Sequence, residues 1–177
     1  MNPAPAADGV VTAVAWVALG ANLGNRGAAL ERLRELLDRP PARIAAASPE
    51  LVTRAVGVTA QPDFLNQVVR LEAGTAMAPG DWLDRCRAAE HAAGRRPTYR
   101  WGPRRADADV LLLGERGEIR VDTPELRVPH PELGDRPFLC AMLATLDPGL
   151  AHPDGWRFAD RAGRFAELLD GPGDAAG

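Results

Sequence analysis

Residues 100–114 read Arg100-Trp-Gly-Pro-Arg-Arg-Ala-Asp-Ala-Asp-Val-Leu-Leu-Leu-Gly114, an arginine-rich segment that runs into an apolar one. The apolar part predicts a buried strand over residues 106–113. Side chains alternate along a strand, so Asp107 and Asp109 are expected on one face, with Cα atoms about 6.5 to 7 Å apart. Carboxylates held that close repel each other unless a cation lies between them. The stretch therefore predicts a divalent-metal site, and the neighbouring arginines suit a phosphorylated substrate.

Composition and charge narrow the class of protein. The chain has 177 residues, of which 46% are hydrophobic and 25% are charged, as is typical of one soluble globular domain. Its net charge of −3 does not favour binding to nucleic acid or to an anionic membrane. All 21 basic residues are arginine. The absence of lysine excludes lysine-dependent mechanisms, including a Walker-type phosphate loop.

The two cysteines, Cys86 and Cys140, lie far apart, each in an apolar segment. We expect buried, reduced thiols, because no paired zinc or redox motif is present. The first ten residues carry no basic segment ahead of the apolar run, and no apolar stretch in the sequence has the length of a membrane span. The sequence therefore predicts a cytoplasmic protein.

Hydrophobic periodicity predicts the remaining elements. Strands are expected at residues 10–19, at 43–56 with a break near Ser48-Pro49, and at 64–71, and a hairpin at 115–118 is expected to lead into 119–121. Helices are expected after the turn at 20–25, over about 13 residues up to Pro40-Pro41, and at 79–93, 138–146 and 161–169.

The order strand, helix, strand, strand, helix, strand predicts an α+β fold. We expect a ferredoxin-like (split βαβ) core, with helices packed on a mainly antiparallel sheet, followed by a C-terminal extension. We expect a single domain over residues 10–170, between flexible tails at 1–9 and 171–177.

Four separated segments resemble, in order, the 6-hydroxymethyl-7,8-dihydropterin pyrophosphokinase family. They are Val17-Ala-Leu-Gly-Ala-Asn-Leu-Gly24, Gln61-Pro-Asp-Phe-Leu-Asn66, Arg100-Trp-Gly-Pro-Arg104 running on to Asp107-Ala-Asp109, and Val128-Pro-His-Pro131 followed by Arg136 and Phe138. The resemblance implies an enzyme of folate biosynthesis that transfers a diphosphate from ATP to a pterin alcohol and releases AMP.

The resemblance also implies roles for individual residues. Asp107 and Asp109 match the family's ligands for two Mg²⁺ ions on ATP, and Arg95 and Arg104 are expected to stabilise charge on the transferring group. The expected ATP contacts are Glu90, Arg100, Trp101, Val110, His130 and Arg136. The expected pterin contacts are the stacking aromatics Phe64 and Phe138, the side chain of Asn66, and the main chain at Thr53 and Val56.

Several questions stay open at this point. The general base is open between Asp107, Asp109 and a hydroxyl whose pKa is lowered by metal. Glu90 is equally compatible with a solvated helix face and with a nucleotide contact. The chain departs from the family pattern at Arg54-Ala55, Glu125, Ala106 and Ala108. These departures leave room for a paralogue that acts on a different pterin-like alcohol.

Two other classes of function are weighed against this one. A ferredoxin-like RNA-binding module is disfavoured by the acidic net charge and by an aromatic content of only 5%. Another two-metal enzyme, such as a nucleotidyltransferase or phosphodiesterase, requires a third carboxylate, for which Glu72 and Glu90 are the candidates. We expect ATP and 6-hydroxymethyl-7,8-dihydropterin as partners, no nucleic acid or membrane partner, and a monomer.

Overall fold

The computed structural model describes residues 9–55, 60–96, 103 and 105–169. In chain order its elements are β1 (Thr12–Ala21), α1 (Arg26–Leu37), β2 (Ala42–Ala47), β3 (Leu51–Thr53), β4 (Phe64–Met77), α2 (Pro79–Ala92), β5 (Asp107–Leu113), β6 (Val121–Asp122), β7 (Arg127–Val128), α3 (Pro137–Leu146) and α4 (Phe165–Leu169). The helices pack on a mainly antiparallel sheet, which confirms the α+β class.

The main sheet places β1 and β4 side by side at its centre. Its strand order is β2-β4-β1-β5, with β3 also paired to β4, and all of these pairings are antiparallel. The helix α1 connects β1 to β2, and α2 connects β4 to β5. Within the described residues β5 pairs with β1 alone in this sheet, and its outer edge is bonded by groups from outside the sheet, among them the His130 N–H at the Leu111 carbonyl.

Alternation along β1 divides the core into two layers. Ala15, Val17 and Leu19 belong to the cluster that includes the apolar residues of α1 and α2. Val14 and Trp16 belong to the cluster that includes α3. Both faces of β1 are therefore covered, which explains why its sequence is apolar almost throughout.

Local signals set the ends of the first two helices. The Asn25 side chain accepts a hydrogen bond of 3.0 Å from the Ala28 N–H and so caps α1. Helix α2 begins at Pro79, and Gly94 follows it at a φ of 89°, a left-handed value that favours glycine. Both helices lie where the sequence predicts them, within one or two residues.

Three elements differ from expectation. Strand β4 continues past Leu71 to Met77, because its second half still pairs with β1 and β2 although its side chains no longer alternate. Of residues 119–121, Ile119 forms a single bridge to Leu113, whereas Val121 begins β6 and pairs with β7. The helix expected at 161–169 spans only Phe165–Leu169, because the chain turns at Gly163 with a φ of 54°.

Both cysteines are free and buried, as expected. Among the described residues, no helix combines the length and the apolar character needed to cross a membrane. The predicted tails lie outside those residues apart from Gly9, and the boundaries of the single domain stay a prediction.

Candidate active site

The candidate site lies at the end of β1, where Gly20 separates two sets of functional side chains. In the sheet register Gly20 lies opposite Asn66 of β4 on one side and opposite Asp107 of β5 on the other. A cavity of about 340 Å³ opens on this face of the sheet and is lined by residues from both neighbouring strands. The absence of a side chain at Gly20 leaves the space between the two sets free.

The β4 side of the cavity presents a ring and an amide. Phe64 and Asn66 are two residues apart on the strand, so both point into the cavity. The Asn66 amide nitrogen donates hydrogen bonds to the Thr53 hydroxyl at 2.7 Å and to the Leu51 carbonyl at 3.3 Å. These bonds from β3 fix the orientation of a buried carboxamide whose oxygen faces Gly20.

The β5 side of the cavity presents two carboxylates, Asp107 and Asp109, and a third, that of Glu90, lies close to both without lining the cavity. One oxygen each from Glu90, Asp107 and Asp109 lies within 4.8 Å of the other two. Glu90 comes from α2 and accepts a hydrogen bond of 2.8 Å from the Ala108 N–H of β5. Arg95 balances part of this charge, since its guanidinium contacts Glu90 and donates to Asp107 at 2.7 Å.

Burial sets the protonation of Glu90. Removal from water raises the pKa of its carboxyl from 4.5 to about 7, although the hydrogen bond from Ala108 opposes the change. Three hard oxygen donors and a local excess of negative charge are what Mg²⁺ binds, usually together with phosphate oxygens. The residues present therefore fit a magnesium site, and Glu90 is the third carboxylate that the sequence left undecided. Glu72, the other candidate, is instead exposed and paired with Arg70.

A segment before α3 and the first turn of that helix contribute the remaining wall. His130 is anchored by its N–H to the Leu111 carbonyl of β5 at 2.9 Å, and its Nδ1 accepts the Glu132 N–H at 3.2 Å. The ring therefore carries its proton on Nε2, and burial lowers its pKa, so it is neutral at pH 7. Arg136 contacts Glu132, and Phe138 lines the cavity with 9% of its surface exposed.

Most of the residues predicted for the site lie at this cavity. Its lining includes Thr53, Phe64, Asn66, Arg95, Asp107, Asp109, His130, Arg136 and Phe138. Two predicted residues do not line it: Val110, whose side chain is buried in the core with α1 and α2, and Glu90, which is buried close to Asp107 and Asp109. Val56, Arg100, Trp101 and Arg104 lie outside the described residues.

Sequence reasoning assigned no role to several lining residues, among them Ala18, Gly20, Arg54 and Glu132. The spacing of four between Glu132 and Arg136 was an available signal for their ion pair. The small residues Ala18 and Gly20 leave room on the cavity face of β1. Arg54 lies between the predicted pterin contacts Thr53 and Val56, and the sequence marked it only as a departure from the family pattern.

Comparison with known proteins identifies the fold that carries this cavity. The family model described as 7,8-dihydro-6-hydroxymethylpterin-pyrophosphokinase (HPPK) matches residues 16–148, which include both sides of the cavity. The chain belongs to the HPPK family. The resemblance found in its four sequence segments is thereby confirmed, and the chain is accordingly a pyrophosphokinase.

Curated proteins of the HPPK family are similar to the chain over most of its length. A 2-amino-4-hydroxy-6-hydroxymethyldihydropteridine pyrophosphokinase of Pseudomonas aeruginosa is 40% identical over 141 residues, which cover 79% of this chain and 84% of that protein. The Bacillus subtilis protein of the same name is 35% identical over 134 residues, covering 75% and 77%. A mitochondrial folate synthesis bifunctional protein of Arabidopsis thaliana is 35% identical over 130 residues, which make up 73% of this chain and 23% of that protein.

Proposed function

We propose that this cavity transfers a diphosphate from ATP to the hydroxymethyl group of 6-hydroxymethyl-7,8-dihydropterin, giving the pterin diphosphate and AMP. The proposal rests on the strand register at Gly20. The first set of side chains beside it is Phe64 and Asn66, and the second set is Asp107, Asp109 and Arg95. A flat heterocycle suits the first set, and a metal-bound triphosphate suits the second. Membership of the HPPK family supports the same reaction.

The acceptor is assigned to the β4 side. Phe64 and Phe138 stack on the two faces of the pterin ring, and Asn66 reads the hydrogen-bonding edge with its amide. Thr53 also contributes through its side chain, because its hydroxyl accepts a hydrogen bond from Asn66 and holds the amide in place. Val56 is proposed as a further main-chain contact to the same edge.

The nucleotide is assigned to the β5 side. Glu90, Asp107 and Asp109, whose oxygens lie within 4.8 Å of one another, would hold two Mg²⁺ ions, and these would neutralise charge on the triphosphate. Arg95 and Arg104 stabilise charge on the transferring group, and the Nε2–H of His130 donates a hydrogen bond to a phosphate oxygen. Arg136 is a further phosphate contact, and Arg100 and Trp101 complete the nucleotide site.

In the reaction, the hydroxyl oxygen of the pterin alcohol attacks the β-phosphorus of ATP. The bond from that phosphorus to the oxygen shared with the α-phosphate breaks, AMP leaves, and the hydroxyl proton is released. The residues of the chain orient the two substrates and stabilise the developing charge, as is usual for phosphoryl transfer.

The decisive assay incubates the protein with ATP, Mg²⁺ and the pterin alcohol and separates nucleotide products by chromatography. The proposal expects AMP in step with the pterin diphosphate, whereas ADP as the main nucleotide product would contradict it. Asp109→Asn should lower turnover on the order of 10²-fold or more. Asp122→Asn is the matched control, because that carboxylate pairs with Arg127 on the surface.

We also propose that the protein acts as a cytoplasmic monomer without nucleic acid or membrane partners. The net charge of −3 gives no general attraction to nucleic acid or to an anionic membrane, which supports the second part of this proposal. Sedimentation equilibrium at the enzyme concentration of the assay would measure the mass of the active species. A dimer mass under those conditions would contradict the monomer.

A further inference from the structure

The C-terminal helix contacts a wall of the cavity although it lies beyond residues 16–148. The Phe165 ring of α4 meets the Phe138 ring of α3 with 6.1 Å between their centroids and 68° between their planes. This is the edge-to-face arrangement in which the positive edge of one ring meets the negative face of the other. Phe138 itself lines the cavity.

Phe138 lines two neighbouring spaces. Besides the cavity, it lines a groove of about 1080 Å³, to which Phe165 and Leu168 of α4 also contribute. A ring that borders open space has freedom to tilt unless a neighbour holds it. In the described part of the chain, Phe165 is the aromatic neighbour that contacts Phe138.

The helix that carries Phe165 is tied to the body of the protein. Its first turn is held by a hydrogen bond of 3.2 Å from the Phe165 N–H to the carbonyl of Ala162, which is buried. Phe165 packs against the apolar cluster of α3, and the Arg164 guanidinium lies 5.2 Å from its ring centroid. These contacts hold Phe165 in place beside the Phe138 ring.

We propose that Phe165 is a positioning residue for the pterin site, because it fixes the plane of the Phe138 ring that stacks on the acceptor. The inference rests on the proposed function, which assigns that stacking role to Phe138. It extends the acceptor site to a helix beyond the residues that the HPPK family model matches. The alternative role for Phe165 is packing that stabilises the fold without any specific effect on the acceptor.

Binding of each substrate, measured separately, distinguishes the two roles. Calorimetric titrations would give the Kd of 6-hydroxymethylpterin in the presence of Mg²⁺ and α,β-methylene ATP, and the Kd of that nucleotide alone. An aromatic pair is worth about 0.5–1.5 kcal/mol, so Phe165→Leu should raise the pterin Kd about 2- to 10-fold. The nucleotide Kd should stay within about two-fold of wild type.

Three further variants complete the design. Phe165→Ala removes more of the packing, and Phe165→Tyr keeps the ring and should restore the wild-type pterin Kd. Leu168→Ala is the matched control, because this side chain lies on the same helix but is 61% exposed. It should leave both dissociation constants unchanged.

Each outcome decides the matter. An unchanged pterin Kd in Phe165→Leu, or an equal rise in both dissociation constants, overturns the positioning role. If Phe138→Leu weakens pterin binding while Phe165→Leu does not, the proposed function stands and this inference fails. If the wild-type protein does not bind the pterin at all, the proposed function fails and this inference fails with it.

Discussion

Replacing Glu90 by glutamine removes one negative charge from the three-carboxylate group but keeps an oxygen that can accept the Ala108 N–H. Two unit charges 4.8 Å apart repel each other by about 3.5 kcal/mol at an effective dielectric constant of about 20. Arg95 contacts both Glu90 and Asp107 and offsets part of this repulsion. We therefore expect Glu90→Gln to stabilise the protein when Mg²⁺ is removed by a chelator.

The pH dependence of the free energy of unfolding shows the direction of this effect and its upper limit. Burial raises the pKa of Glu90 from 4.5 to about 7, so the folded state retains a proton that the unfolded chain has released. The stability linked to this proton is complete below the unfolded pKa of 4.5 and is lost as pH rises through about 7. At 1.36 kcal/mol per pKa unit, the loss is at most about 3 kcal/mol.

Urea unfolding followed by tryptophan fluorescence in the presence of a chelator would measure the effect. The advantage of Glu90→Gln over wild type should be small near pH ~5 and should grow to at most about 3 kcal/mol near pH ~8. Glu35→Gln, at a carboxylate in an exposed pair with Arg32, is the matched control and should show no such growth. Added Mg²⁺ should then stabilise wild type more than Glu90→Gln.

Two results would refute this reasoning. Parallel stability profiles for wild type and Glu90→Gln across the pH range would mean that the Glu90 carboxylate is not under electrostatic strain. An equal response of both proteins to Mg²⁺ would remove Glu90 from the metal site.

Three other perturbations test separate parts of the structure. In Gly20→Val, the added Cβ would lie 3.5 Å from the Asn66 Oδ1 and 3.9 Å from the Phe64 ring. The bulkier side chain should weaken pterin binding, measured by calorimetry, by about 10-fold or more. Wild-type affinity would refute the assignment of the pterin to the β4 side of the cavity. Asn22 is buried and donates hydrogen bonds of 3.0 Å to the Gln61 side chain and to the Pro62 carbonyl. Asn22→Ala should therefore lower the free energy of unfolding, measured in urea, by about 1–3 kcal/mol. An unchanged free energy of unfolding would refute the stabilising role of these bonds. Burial raises the pKa of the Cys140 thiol to about 11 and raises that of the Cys86 thiol further. Neither thiol should therefore react with a thiol reagent in the native protein near pH ~8. Rapid labelling before unfolding would contradict this prediction.

The sequence was sufficient to predict the class of fold. Strand β1 is apolar almost throughout and β5 ends in the apolar run at residues 110–113, so both could be predicted as buried strands. Helix α2 starts at Pro79 and stops before Gly94. The second half of β4 was missed because pairing with its neighbours, rather than its own pattern, keeps it extended. Sequence periodicity reports burial of side chains and is blind to backbone pairing where both faces are exposed.

Only part of the candidate site could be predicted from the sequence. Asp107 and Asp109 share a strand, and their local spacing is enough to predict a common face. Glu90 lies on α2, and its hydrogen bond to β5 depends on where that helix ends relative to the outer edge of the strand. The spacing of residues along α2 does not reveal this position. The contact of Phe165 with Phe138 joins two helices and depends on the turn at Gly163.

The central claim is that one cavity holds the acceptor on the β4 side of Gly20 and the nucleotide on the β5 side. A crystal structure of the protein with Mg²⁺, α,β-methylene ATP and 6-hydroxymethylpterin tests it most directly. The account predicts the pterin ring between Phe64 and Phe138, with the triphosphate and the metal against Asp107 and Asp109. Density for the pterin in the groove beside α4, or for the metal away from these carboxylates, would contradict it.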